Sequence, residues 1–197
     1  MPDRSSLLLR AAHGMAPSVA PQSDLSGLNR AYVVMESGCR FLIARGRHRA
    51  LTGHHDHGHP LVRWRMAGNS LKELDRFLSI LLQECAVLSG RKLKKGGIGE
   101  DTAAGLHWID ASGHHFSTDM TRLRAIERIR KAACGEQMIG SGVRLERDFA
   151  VATAGLPAAG RARVRPPEIS DQAIAAIAEF YLALADRLHA RFAEGIV

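Results

Sequence analysis

Two apolar stripes with helical spacing leave this chain few folds to choose from. In the first, Leu25, Leu28, Tyr32, Met35, Cys39 and Leu42 recur three or four positions apart, and Leu71, Leu74, Leu78, Leu81, Cys85 and Leu88 do the same in the second. Side chains at those intervals share one face of an α-helix, because a turn takes about 3.6 residues. Each face needs an apolar partner of similar length, so the stripes predict an antiparallel helix pair joined by a loop over residues 48–69. Ser23 or Asp24 can cap the first helix, and Arg45, Gly46 and Arg47 suit its end. Ser70 with Glu73 forms a capping box for the second helix, and Gly90 is its stop.

Two further helices follow from the same spacing. One starts near Thr118 or Asp119 and runs to Gly135, with Leu123, Ile126, Ile129 and Ala133 turned inward. The other, capped by Ser170, carries Ile174, Ile177, Tyr181, Leu184 and Leu188. Between them, His107–Phe116 reads as a short hairpin around Asp110, Ser112 and Gly113, and Val143–Thr153 as a short strand or an irregular return. Aromatic residues are only 5% of the chain, so the core must be built from Leu, Ile, Val, Ala and Met, which suits helices better than sandwiches. The expected fold is mainly all-α, an antiparallel bundle of about four helices with a short β excursion. Residues 24–197 form the bundle domain. Residues 1–23, with Pro2, Pro17 and Pro21, read as a loose N-terminal arm, while Arg91–Asp101 and Ala154–Pro167 read as connectors.

The balance of charge narrows the partners. A net charge of +7 attracts polyanions, RNA above all, or an acidic protein partner. Cys39, Cys85 and Cys134 are widely spaced and odd in number, which argues for a reducing, cytoplasmic setting without a disulfide framework. No apolar run approaches the roughly 20 residues of a membrane span. No cofactor is expected. The loop His54-His55-Asp56-His57-Gly58-His59, with His48 before it, could offer imidazoles to a metal, but no helical spacing sets two of them on one face, so no metal site is assigned there. The lysine-then-glycine order in Arg91–Asp101 is the reverse of a phosphate-cradling loop, and Gly140-Ser141-Gly142 has the wrong spacing for a nucleophile elbow. Cys39 and Cys85 fall on the apolar seams and read as small buried hydrophobes.

Chemistry concentrates in the third helix, where Arg122, Arg124, Arg128, Arg130 and Lys131 crowd together. Arg124, Arg128 and Lys131 fall on an outer face. Arg130 projects beside Leu123 and Ile126, where its guanidinium must be paired, or else line a groove or an interface.

The stretch Arg128-Ile129-Arg130-Lys131-Ala132-Ala133-Cys134-Gly135, following two long helices and preceding a last one, resembles the HEPN domain (higher eukaryotes and prokaryotes nucleotide-binding). In that family an Arg, about four to six residues and then a His, often followed by Gly, form a metal-independent ribonuclease site across a pair of domains. The resemblance implies a homodimer with Arg130 and Cys134 as motif residues, and Arg124, Arg128, Arg130 and Lys131 as nucleic-acid contacts. Cys134 stands where the family has His. A thiol titrating near about 8.5 is a poor substitute for an imidazole near about 6.5, so the expectation is RNA or polyanion binding without efficient cleavage. Two alternatives remain: an active ribonuclease of toxin type in which His107, His114 or His115 supplies the acid or base, and a basic interaction protein for an acidic partner.

Overall fold

The computed structural model describes residues 25–52, 59–90, 101–110, 115–136, 142–154 and 169–194. They form six helices and, among the described residues, no strand: α1 (Ser26–Thr52), α2 (Pro60–Leu88), α3 (Thr102–Ile109), α4 (Ser117–Cys134), α5 (Gly142–Ala152) and α6 (Asp171–Ala193). The protein is therefore all-α. The N-terminal arm and nearly all of both connectors lie outside the described residues.

The seams occupy the core as their spacing requires. Leu71, Leu74, Leu78, Leu81 and Cys85 are buried on α2, Leu123, Ile126, Ile129 and Ala133 on α4, and Ile174, Ile177, Tyr181, Leu184 and Leu188 on α6. On α1 the stripe rotates slightly, so that Leu28, Met35, Cys39 and Ile43 are buried while Leu25, Tyr32 and Leu42 pack at its edge.

Several boundaries differ from those expected. Helix α2 starts ten residues before the Ser70 box, with Pro60 in its first turn and His59 as N-cap, whose Nδ1 accepts from the Leu61 amide at 3.3 Å. Trp64 and Ala67 extend the buried seam backward at helical spacing, and this burial outweighs the local capping signal. Ser70 lies inside the helix and donates to the Met66 carbonyl at 3.1 Å. The first part of the expected hairpin is α3, held by Ala103, Leu106 and Ile109 at every third position. Asp110 then organises the turn into α4: its Oδ2 accepts from the amides of His115 at 3.1 Å and Phe116 at 3.2 Å. The expected strand is α5, because Leu145, Phe149 and Ala152 match a helical face and pack on α4.

The partner of α1 also differs. Its most extensive packing is on α6, not α2. The two helices run antiparallel, with Arg49 near Asp171 at one end and Tyr32 near Asp186 at the other. Gly46 is not a stop. It sits inside α1 where a Cβ would lie 2.6 Å from the Ala175 Cβ and 2.8 Å from the Asp171 carbonyl oxygen, so its missing side chain lets the helices touch. Ala173 through Ala178 are all buried, which makes the first half of α6 apolar on every side and places it at the centre of the fold.

Candidate functional site

The basic helix α4 ends as its sequence indicates, with Gly135 in the left-handed conformation at φ 74°. Its amide and that of Glu136 donate back to the Ala132 and Lys131 carbonyls. This turn brings Glu136 back toward Arg130. The guanidinium of Arg130 is only 1% exposed, so it cannot remain without counter-charge. Its Nε lies 3.0 Å from Oδ2 of Asp75 on α2, and its Nη1 donates to Oε2 of Glu136 at 3.3 Å. Asp75 in turn accepts a short hydrogen bond from the Tyr181 hydroxyl of α6, and Thr102 Oγ1 of α3 is 3.5 Å from the same oxygen. One buried polar network thus ties together α2, α3, α4 and α6.

Burial dominates the electrostatics of the network. It pushes the Asp75 carboxyl up to about 6, against the opposing pull of the Tyr181 hydroxyl and the Arg130 guanidinium. The Tyr181 phenol is raised well above its ordinary value, first by burial and then by the adjacent carboxylate. Arg130 and Asp75 also line a cavity of about 420 Å³, with Lys72, Arg76 and Gln83 on its wall. Arg130 is therefore both paired, as its position on the helix demanded, and part of a groove.

The other cations of α4 fare differently. Arg128 makes a two-pronged bond to Asp148 of α5, Nε to Oδ2 at 2.9 Å and Nη2 to Oδ1 at 2.6 Å. Lys131 pairs with Glu127 one turn earlier, at 2.6 Å. Arg122 donates to the Ala152 carbonyl at 2.8 Å and lies over the Phe180 ring, clamping α4 to α5 and α6. Arg124 is exposed, as are Arg144 and Arg147 on α5.

The carboxylates of Asp75 and Glu136 are acid–base groups placed directly against Arg130. Burial raises the Cys134 thiol, with the Glu136 charge adding to it, which disfavours the thiolate. His115 precedes the first turn of α4, and at about 1.5 Å of rise per residue it sits roughly 20 Å from Arg130 along that helix. His107 is exposed on α3, and His114 lies outside the described residues. Cys39 and Cys85 are buried thiols, each pushed up to about 12 by burial. In the histidine loop only His59 is described, and it serves as a helix cap. Among the described residues no group of three or more His, Cys, Asp or Glu is placed to hold a metal, and no helix is long and apolar enough to cross a membrane.

Sequence reasoning singled out Arg130 but missed its partners. Asp75 sits between Leu71 and Leu78 on the buried side of α2, a carboxylate on an apolar seam, and that misplacement was the signal that could have found it. Comparison of the chain with protein-family models, with curated proteins and with solved structures gives no match in any of the three.

Proposed function

We propose that the protein is a HEPN-like helical module that binds RNA or another polyanion and lacks efficient ribonuclease chemistry. The observation that carries this reading is the division of labour among the α4 cations. Arg130 is withdrawn into a neutralised core network, whereas Arg124 stays exposed with Arg144 and Arg147 on the adjoining α5. Exposed guanidiniums can hold phosphates bidentately and release their counterions, and this needs no general base. Cleavage needs a proton acceptor beside the positioned phosphate, and a Cys134 thiol held above its ordinary range does not supply one. Pairing of two copies belongs to the same reading, with exposed Val34 and Phe41 of α1 and Ile80 of α2 as apolar surface for the contact.

The test is anisotropy of a labelled single-stranded RNA measured across a salt series, with cleavage of the same RNA followed with and without chelator. Binding should weaken steeply with salt, and Arg124→Ala should lower the magnitude of the log–log slope by about one unit. No cleavage should accompany binding. Salt-independent affinity, or a slope that Arg124→Ala leaves untouched, would defeat the assignment of this face; turnover in chelator would revive the ribonuclease.

A further inference from the structure

The way α1 and α2 pack leaves a short apolar groove on the outside of the molecule. Gly27 of α1 lies against Glu84 of α2, and further along α1 Gly38 lies against Phe77, where a Cβ would come within 2.7 Å of the ring. The two helices are therefore antiparallel here. A cavity of about 220 Å³ opens between them, with Ala31 and Val34 on one wall and Phe77 and Ile80 on the other. Val34 and Ile80 stay 48% and 39% exposed, so the apolar surface continues to the lip of the groove. Arg30 and Glu84 also line it, one charge of each sign, which gives it no selectivity for an ion. It is smaller than the roughly 300–1,000 Å³ of sites that enclose a whole small molecule. The Phe77 ring fills the gap at Gly38, so the groove suits a short apolar segment rather than the length of a helix.

We infer that Leu7, Leu8 and Leu9 of this same chain dock in the groove and compete there with a second copy. The competition rests on the reading above, which places the contact between copies on Val34, Phe41 and Ile80. Leu7-Leu8-Leu9 is the one run of large apolar residues ahead of α1. Residues 10–24 tether it to that helix, and at about 3.3–3.6 Å per residue they can span up to roughly 50 Å. The groove opens beside the first turn of α1, at Gly27, well within that reach. A tethered segment meets its site at an effective concentration on the order of millimolar, whereas a second copy arrives only at its bulk concentration. At micromolar protein the leucines have the advantage, and removing them strengthens the pairing of copies.

The test places a photo-crosslinking amino acid at position 8 of the whole chain and maps the products by mass spectrometry, with monomer and dimer bands separated. Crosslinks within one chain to Val34, Phe77 or Ile80 are expected. Crosslinks confined to other residues, or formed only between chains, overturn the docking. Sedimentation then reads the competition. A chain with Leu7→Ser, Leu8→Ser and Leu9→Ser should pair at a concentration at least tenfold lower than the wild type, and adding Val34→Glu should abolish that gain. Unchanged or weaker pairing in the triple variant overturns the competition. If neither chain pairs at any concentration, the contact between copies fails and the competition with it, while the crosslink from position 8 decides the docking by itself.

Discussion

Arg130 and Asp75 illustrate how one side chain turns from a candidate ligand into a structural element. Removing either partner leaves the other charge buried, so Arg130→Met and Asp75→Leu should each destabilise by about 3–5 kcal/mol in urea unfolding. The double variant should be more stable than the sum of the two losses predicts, with a coupling of about 0.5–3 kcal/mol. Strict additivity would mean that the pair does not interact. Asp75 also makes stability depend on pH. Its folded-state value, about 6, lies above the ordinary 3.8, so the native state holds the proton more tightly than the unfolded chain does. Its stabilising contribution is complete below about pH 4 and fades as the pH rises through 6. The urea midpoint of the wild type should therefore fall between pH 4 and pH 7 relative to that of Asp75→Asn, and parallel profiles would place the titration elsewhere. That Arg130 needed a partner could be read from its place on the helix. Which carboxylate answers it could not, because Asp75 lies 55 positions earlier and only the packing of α2 on α4 brings them together.

Among the elements, long seams were readable and short pieces were not. Leu123, Ile126, Ile129 and Ala133 mark α4 without ambiguity, since four matches to one period outweigh propensity. Among the described residues, helices α3 and α5 bury only three apolar side chains each, and there the hairpin and strand readings rested on turn residues and a few β-branched side chains. Packing decided in favour of helix. The start of α2 was missed because Ser70 and Glu73 fit a capping box by type, although Trp64 and Ala67 continue the seam past them. Gly46 was read as a stop because glycine commonly ends helices, yet this one closes the gap between α1 and α6. Gly46→Val should force the two helices apart and cost about 1–3 kcal/mol, measured by thermal or urea unfolding, with far-ultraviolet dichroism still helical. An unchanged midpoint would show that the close approach is not required.

For the molecule as a whole, the excess of positive charge is spread over distinct regions with different degrees of neutralisation. At α4 and α5 the pairs Arg128–Asp148 and Lys131–Glu127 leave Arg124 as the exposed cation of the motif helix. At the meeting point of α1, α2 and α6, Arg45 and Arg49 both pair with Asp171, and Arg63 lies beside them. Composition reported the total but not this partition, since the arginines of α1 and α2 come together only in three dimensions. The central position of α6 has another consequence, which concerns the order in which the chain is made. Arg47 of α1 meets Glu179 of α6 across 132 positions of sequence. At about 5–20 residues per second of synthesis, α1 and α2 wait on the order of ten seconds before their central partner exists. During that interval Met35, Cys39 and Ile43 have no α6 to cover them, so the nascent chain exposes apolar surface that invites aggregation or a chaperone. The helix that completes the core is thus also the one whose arrival ends the chain's most vulnerable period.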